Sequence, residues 1–215
     1  MNKRREEILS EIPACKVFRD VGCDHGYVGF ECLKRGIAQK VIFSDISAPS
    51  LEKAKSLVKT VPEMENQACF LVANGLEGGE TKADVCVIAG MGGEEIMKIL
   101  ASTSPEICVL QPMSEVEKLR VFLQDKFEII TDRLFYDRDK YYNLLVVKKG
   151  SCKLCDFEIM FGKTNLENPG EDFLIFAKAR LERQKSIKNS RKIHSEEDDK
   201  IIDFLCEFLD RYKRK

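Results

Sequence analysis

The feature that most constrains the fold of this chain is a regular alternation of short apolar, β-branched runs with segments of helical period. Five such runs predict strands at residues 17–21, 40–45, 68–73, 83–89 and 106–110. Between these runs, apolar side chains recur three and four positions apart, as they do on amphipathic helices. These helical segments are 27–36, 48–59, 92–101 and 114–125. The alternation predicts an α/β domain built on a parallel sheet.

The pattern changes after the fifth run. Two apolar runs, 127–136 and 141–148, are separated only by Asp137-Arg-Asp-Lys140. Since this connection has no room for a helix, the runs predict a hairpin, and hence an antiparallel pair at one edge of the sheet. By analogy of architecture, this ending is typical of Rossmann-like methyltransferases that use S-adenosylmethionine, whereas dehydrogenase domains typically close with another parallel strand. We expect a mostly parallel seven-stranded sheet with one antiparallel strand.

The composition beyond Gly150 shifts and predicts a second domain. We expect residues 1–150 to form the Rossmann-like domain and residues 151–215 to form a connector followed by a helical hairpin. The two helices of the hairpin are predicted near 171–190 and 196–212, where apolar side chains follow a helical period.

A basic stripe lies on the first helix of this hairpin. Seven basic residues against Glu182 alone give it a local charge of +6, although 35 Lys and Arg against 36 Asp and Glu leave the whole chain at −1. Such a stripe suits the phosphate backbone of RNA, and a solvated helix face is the alternative explanation. The basic residues are Lys178, Arg180, Arg183, Lys185, Lys188, Arg191 and Lys192.

Membrane segments, disulfides and metal sites are not expected. No run reaches the roughly 18 apolar residues of a membrane span, and residues 1–10 are charged with no apolar run behind them, so we expect a cytoplasmic protein. The nine cysteines lie mostly among apolar neighbours, as Cys69, Cys86 and Cys108 do, and predict buried free thiols. Because Cys152-Lys-Leu-Cys155 has no second cysteine pair, we expect no metal.

The strongest chemical signal is the turn Asp20-Val-Gly-Cys-Asp-His-Gly-Tyr-Val-Gly29, where the first strand passes into the first crossover helix. Gly22 and Gly26 suit the close approach of a ligand. Asp24 stands where a dinucleotide fold has its second glycine. A carboxylate there repels a pyrophosphate and attracts the cationic methionine part of S-adenosylmethionine, so the charge favours that cofactor over NAD. A structural turn with a helix-capping Asp is the alternative.

Further candidates follow the second and third strands. Asp45, 23 residues beyond Gly22, can accept both hydroxyls of a ribose or can cap the helix that begins near Ser47. Asn74-Gly75 lies where such folds usually contact adenine, and a plain turn explains it nearly as well.

The loops after the fourth and fifth strands contain Ile88-Ala-Gly-Met-Gly-Gly93 and Leu110-Gln-Pro112. Because the carboxyl ends of strands line the ligand crevice in open α/β sheets, we expect these loops to hold the methyl acceptor. Gly90, Gly92 and Gly93 leave backbone exposed for a flat ring, and a flexible turn is the alternative.

Together, these motifs resemble those of the bacterial tRNA (adenine-22 N1)-methyltransferase family. The resemblance extends from about residue 3 to 148, continues loosely into the helical tail, and is most specific at Asp24-His-Gly-Tyr27 and Ala89-Gly-Met-Gly-Gly93. It implies methyl transfer from S-adenosylmethionine to N1 of adenine 22 in tRNA. The alternatives are the same chemistry on another RNA or a small acceptor, and a non-catalytic RNA-binding module. A nicotinamide dehydrogenase is disfavoured by Asp24 and the terminal hairpin.

The turn and the resemblance together give the candidate site residues. Those expected to bind the cofactor are Asp20, Gly22, Cys23, Asp24, Gly26, Asp45, Ile46, Asn74, Gly75, Ala89 and Gly90. Those expected to form the acceptor pocket are Met91, Gly92, Gly93, Gln111 and Pro112. For catalysis, Tyr27 is expected to hold the adenine ring, and Asp24 and His25 to orient it or accept a proton from the product. Alternatively, His25 hydrogen-bonds the turn and Tyr27 is a core residue of its helix.

Overall fold

The computed structural model describes residues 2–78, 82–103, 105–190 and 195–212. Its strands are β1 (Cys15–Val21), β2 (Ala38–Asp45), β3 (Ala68–Val72), β4 (Val85–Met91), β5 (Ile107–Pro112), β6 (Phe127–Asp137) and β7 (Lys140–Lys149). They form one sheet in the order β3-β2-β1-β4-β5-β7-β6. Strands β1 to β5 pair in parallel, and β7 is antiparallel to both β5 and β6. The predicted fold is confirmed, with β7 as the one antiparallel strand.

The described helices include the four predicted crossover helices and the two predicted tail helices. They are α1 (Lys3–Ser10), α2 (Tyr27–Lys34), α3 (Ala48–Val58), α4 (Gly93–Ser102), α5 (Val116–Leu123), α6 (Asp156–Phe161), α7 (Lys163–Glu167), α8 (Glu171–Ser190) and α9 (Glu196–Tyr212), with a 3₁₀ helix at Pro62–Gln67. The sequence did not predict α1, α6 or α7. None of the helices in the described ranges is long and apolar enough to span a membrane.

The sheet separates two apolar clusters, because successive side chains of a strand point to opposite faces. Val87 packs with Phe18 and Phe43 on one face, and Ile88 packs with Ile96 and Leu119 on the other. Strands buried on both faces read as continuous apolar runs, which is why their positions were visible in the sequence. With helices covering both faces, the carboxyl ends of the parallel strands are left to form a site.

The chain divides into two compact units, residues 1–166 and 167–215. The sequence placed this boundary at Gly150. The division falls later because the segment after β7 is bonded to the first unit: the guanidinium of Arg120 donates to the carbonyl of Ile159 at 3.0 Å, and the N–H of Asp132 donates to the hydroxyl of Thr164 at 2.8 Å.

The second unit is built from α8 and α9. The rings of Phe173 and Phe208 meet edge to face with their centroids 5.8 Å apart, and the buried amide of Gln184 donates to Asp198. A pair of helices in this region is what the sequence predicted.

The cysteines are free, and Cys86 and Cys108 are buried as predicted. Cys69 is exposed, contrary to the prediction, because β3 is an edge strand. Among the described residues, no three His, Cys, Asp or Glu side chains lie close enough together to hold a metal ion.

Candidate active site

The carboxyl ends of β1, β2 and β4 surround a cavity of about 510 Å³. The cavity spans the point between β1 and β4 where the strand order reverses, which is where open α/β sheets bind ligands. Most residues predicted for the cofactor and for catalysis line it. They are Asp20, Gly22, Cys23, Asp24, His25, Tyr27, Asp45, Ile46, Asn74, Gly75, Ala89 and Gly90, joined by Met91 from the predicted acceptor pocket.

Two carboxylates hold the turn between β1 and α2 in place. Asp20 Oδ2 accepts the backbone N–H of Gly29 at 2.9 Å, so this carboxylate caps the first turn of α2. Asp45 Oδ2 accepts the N–H of Asp24 at 3.0 Å, and its Oδ1 accepts the N–H of Ser47 at 2.8 Å. Ser47, not Asp45, is the N-cap of α3. Each oxygen of Asp45 keeps a further lone pair for a ligand.

Gly26 supports the site from behind rather than lining the cavity. Its φ of +71° is in the left-handed region, and a Cβ there would lie 2.6 Å from the Cβ of Ala54 on α3. The missing side chain therefore lets α2 approach α3, whereas the sequence had assigned Gly26 to the cofactor.

The wall of the cavity formed by β1 and β2 is rich in negative charge. Asp20 is 5% exposed, and burial raises its pKa to about 7, with the charge of Asp45 acting in the same direction and the hydrogen bond from Gly29 against it. The hydrogen bond with His25 lowers the pKa of Asp24, which is mostly exposed. A positively charged ligand would offset the cost of the buried carboxylate.

The aromatic side chains at the mouth of the cavity are stacked. His25 Nδ1 lies 2.6 Å from Asp24 Oδ2, and the His25 ring lies parallel to that of Tyr27 with 5.6 Å between centroids. The guanidinium of Arg5 lies 4.2 Å from the centroid of the Tyr27 ring. Tyr27 is 43% exposed, so it is not a core residue of its helix. The three groups form a platform on which a planar ring can stack.

Helix α1 brings two arginines to the cavity that the sequence did not single out. Arg4 and Arg5 both line it. Arg4 Nε donates to Gln111 Oε1 at 2.6 Å, across 107 residues of sequence. The only local signal was the basic run Lys3-Arg-Arg5, which is equally typical of an exposed N-terminal segment.

The loops after β4 and β5 pack against each other, which changes the roles of their glycines. A Cβ on Gly93 would lie 2.8 Å from the carbonyl oxygens of Ser114 and Glu115, and the N–H of Gly93 donates to Ser114 at 3.0 Å. Gly92 lies next to the same loop, with its Cβ position 3.2 Å from the Ser114 hydroxyl. Both glycines allow close packing and lie outside the lining of the cavity, rather than presenting bare backbone to a ring.

Gln111 and Pro112 also lie outside the first cavity. Gln111 is fully buried, and its carboxamide accepts from Arg4 and donates to the carbonyl of Pro112 at 2.9 Å. Its contact with the site is therefore through Arg4. Pro112 lines a second, smaller cavity.

Arg19 is a buried cation that the sequence did not single out. It lies 3% exposed on β1 and donates to the carbonyls of Gly75, Leu76 and Glu77 at 2.9 to 3.1 Å. It therefore fixes the loop after β3 that contains Asn74. The available signal in the sequence was a single arginine inside an apolar strand. A buried cation requires several hydrogen-bond acceptors, so such an arginine indicates contacts with other segments.

In the second unit, the basic residues of α8 are only partly available for RNA. Lys188 Nζ lies 2.6 Å from Asp199, and Lys185 Nζ lies 3.2 Å from Glu182. Lys178, Arg180 and Arg183 make no ion pair within the described ranges and lie at least partly exposed. The predicted RNA contacts Arg191 and Lys192 lie outside the described residues.

The known proteins to which this chain is similar are described as methyltransferases. A family model described as a methyltransferase domain matches residues 1–145. A Mycoplasma pneumoniae protein named provisionally as a tRNA methyltransferase is 38% identical over 148 residues, which cover 66% of this chain and 67% of the relative. The tRNA (adenine(22)-N(1))-methyltransferase of Bacillus subtilis is 27% identical over 158 residues, covering 70% of this chain and 66% of that protein.

Solved structures extend the similarity to nearly the whole chain. The crystal structure of a Streptococcus pneumoniae protein, described provisionally as a tRNA (m1A22) methyltransferase and in complex with S-adenosyl-L-methionine, has a TM-score of 0.82 and 27% identity. The match covers 97% of this chain and 99% of that chain. A second structure of the same protein has a TM-score of 0.86 and 26% identity with the same coverage.

Proposed function

Because the chain belongs to the methyltransferase-domain family that includes bacterial tRNA (adenine-22 N1)-methyltransferases, we propose that it methylates N1 of adenine 22 in tRNA with S-adenosylmethionine as methyl donor. The observation that carries this proposal is the cavity itself. It has carboxylates on its β1 and β2 side and the stacked pair His25 and Tyr27 at its mouth. We place the enzyme in the cytoplasm with its tRNA substrate.

The residues around the cavity fit the cofactor. When bound, S-adenosylmethionine supplies an electrophilic methyl group on a cationic sulfur. Asp20 and Asp24 provide negative charge for this cation, and Asp45 has lone pairs for the ribose hydroxyls. The loop at Asn74, fixed by Arg19, faces the cavity beside them and suits the adenine base.

The acceptor requires little chemical activation. N1 of adenine has an in-plane lone pair, so alignment with the methyl carbon is the main task of the protein, an effect that reaches roughly 7–11 kcal/mol in well-oriented systems. N1 lies on the Watson–Crick edge, so the base must leave its stack, and contact with an aromatic ring restores about 1–3 kcal/mol. In our proposal, Tyr27 provides this contact.

The paired Asp24 and His25 take part after transfer. Methylation leaves a positive charge on the adenine, and its exocyclic amino group can then lose a proton. The carboxylate of Asp24 can orient that amino group, and His25, hydrogen-bonded to this carboxylate at the mouth of the cavity, can accept the proton.

The proposal is tested by incubating the purified chain with radiolabelled S-adenosylmethionine and unmodified tRNA, followed by nucleoside analysis. We expect label in N1-methyladenosine with a tRNA that has adenine at position 22, and none when guanine replaces it. Binding of S-adenosylmethionine without transfer to either RNA would refute the assignment of the acceptor and leave only the cofactor site.

A further inference from the structure

A second cavity, of about 180 Å³, lies at the carboxyl end of β5 beside the β6–β7 hairpin. Its described lining is Pro112, Met113, Ser114, Glu115, Val116, Lys140, Tyr141, Tyr142 and Asn143. Two tyrosines and an exposed lysine at the edge of a cavity are a combination that suits single-stranded nucleic acid. Aromatic rings stack on bases, and the ammonium group pairs with phosphate.

Arg4 lies between the two cavities. Its side chain lines the first cavity, and its guanidinium is 5.5 Å from the ring centroid of Tyr142, which lines the second. A Cβ on Gly90 would lie 2.9 Å from its Nη2, so the guanidinium also reaches the end of β4. The Arg4 side chain therefore separates the two cavities and borders both of them.

Within the described ranges, the guanidinium of Arg4 makes no ion pair, although the carboxylate of Asp137, which accepts the backbone N–H of Arg4 at 3.3 Å, lies close enough to act on its charge. Its Nε is bonded to the neutral amide of Gln111, and within the described ranges neither of its two other nitrogens makes a hydrogen bond or ion pair. The side chain is half-buried, and this burial lowers its pKa. Two guanidinium nitrogens of this half-buried cation can still donate hydrogen bonds. They favour an anion that accepts them with two of its oxygens.

We propose that the second cavity binds the nucleobase next to the target adenosine, and that Arg4 pairs with the phosphate joining these two nucleotides. This inference rests on the proposed function. Arg4 contacts the β4, β5 and β7 side of the site through Gly90, Gln111 and Tyr142, whereas the candidate cofactor carboxylates lie on β1 and β2. Because Arg4 borders both cavities, a phosphate that joins a nucleotide in one to a nucleotide in the other fits its position.

The chemistry of the second cavity is compatible with a base. Tyr141 is partly exposed, with its ring centroid 4.9 Å from that of Tyr136, and Lys140 beside it is exposed. Glu115 is the one carboxylate among the described lining residues, and its Oε2 accepts from the Ser114 hydroxyl at 3.0 Å. Its other oxygen can accept an exocyclic amino group.

The base contact is tested by combining protein variants with modified tRNA. In the wild-type enzyme, an abasic nucleotide on one side of adenosine 22 should lower kcat/KM about tenfold, the size expected for one stacked base. Tyr141→Ala should cause a similar loss, Tyr141→Phe should not, and the abasic tRNA should cause no further loss in Tyr141→Ala. Lys140→Ala should also lower kcat/KM, because its ammonium group is expected to pair with phosphate, and Lys148→Ala, at the far end of β7, is its matched control. Losses that multiply, or no effect of an abasic nucleotide on either side, would overturn the proposal.

The phosphate contact is tested with Arg4→Gln and a neutral methylphosphonate on either side of adenosine 22. One of the two linkages should lower kcat/KM for the wild type and have no further effect in Arg4→Gln, while affinity for S-adenosylhomocysteine stays within about twofold. If Arg4→Gln instead weakens S-adenosylhomocysteine binding as much as it weakens tRNA methylation, Arg4 serves the cofactor and the proposal fails. Wild-type enzyme with unmodified tRNA distinguishes failure of this inference from failure of the proposed function. Only failure of the proposed function would abolish the formation of N1-methyladenosine in that assay.

Discussion

At the scale of single residues, Asp20 shows how a functional carboxylate opposes stability. Burial raises its pKa to about 7 from an ordinary value of 3.8. Because the folded pKa is the higher one, the stability that Asp20 contributes is present below about pH 4 and lost as the pH rises through about 7. The cofactor-free enzyme therefore keeps an unfavourable buried charge at neutral and higher pH, where a cationic ligand would offset it.

This yields a prediction for Asp20→Asn, which keeps an oxygen to accept the N–H of Gly29. Without cofactor, the variant should have a higher free energy of unfolding than the wild type at about pH 8, by about 2–4 kcal/mol, and a smaller advantage, about 1 kcal/mol, at about pH 4.5. Urea unfolding at the two pH values measures this. The same variant should bind S-adenosylmethionine more weakly. Equal stability at both pH values would show that the carboxylate is not held in a destabilising environment.

The platform at the mouth of the cavity gives a second prediction. Tyr27→Ala and His25→Ala should each fold like the wild type, because both side chains are substantially exposed, and should lower the methylation rate at least about tenfold. Single-turnover assays at saturating cofactor measure the rate, and thermal melting checks the fold. Tyr27→Phe keeps the ring and should retain most of the activity. Wild-type rates in both alanine variants would remove these residues from the site.

At the scale of elements, Arg19 connects β1 to the loop after β3. Replacing it by Met leaves the carbonyls of Gly75, Leu76 and Glu77 without their donor, so Arg19→Met should cost about 1–3 kcal/mol of stability. Affinity for S-adenosylhomocysteine should fall about tenfold as the loop shifts. Calorimetry measures both quantities, with Lys16→Met at the exposed start of the same strand as control. Unchanged affinity for S-adenosylhomocysteine would show that the hydrogen bonds from Arg19 to this loop are not required for cofactor binding.

The strands and crossover helices were predictable because their signals are local. Buried strands such as β4 are uninterrupted apolar runs, and α3 and α5 show a clear helical period. Helix α1 was not predicted because only two of its eight residues, Ile8 and Leu9, are buried, so its sequence reads as a charged segment.

The features that escaped prediction depend on contacts between distant residues. Gly93 appeared to expose backbone to a ligand, but the loop at Ser114 and Glu115 fills that space. Gln111 appeared to belong to the acceptor pocket, but its amide is used to hold Arg4 from the other end of the first unit. The positions of the motifs correctly indicated where the strands end. They could not indicate which side chains at those ends face the cavity, because that depends on contacts between distant residues.

At the scale of the whole molecule, we expect α8 to contact the RNA backbone, because it carries the basic stripe. The cations without an ion pair in the described ranges, Lys178 and Arg183 among them, should carry most of this contact. Lys178→Glu with Arg183→Glu should raise KM for tRNA, leave S-adenosylhomocysteine affinity unchanged, and lower the salt slope of tRNA binding by about two units.

The exposed Lys200 on α9 provides the control for this prediction, since Lys200→Glu reverses one charge, half the change of the double α8 variant, outside the predicted contact surface. Filter binding of tRNA over a range of salt concentrations measures the slopes. An unchanged slope in the α8 variant would show that its basic residues are only a solvated helix face.

Reverse transcription of the tRNA resolves whether this chain places a methyl group on N1 of adenine 22. A methyl group on N1 blocks the Watson–Crick edge, so reverse transcription of the tRNA after incubation with enzyme and S-adenosylmethionine should stop next to position 22. The stop should disappear without cofactor and in a tRNA with guanine at that position. Read-through at position 22, or a stop at another adenine, would show that adenine 22 is not the base that this chain methylates.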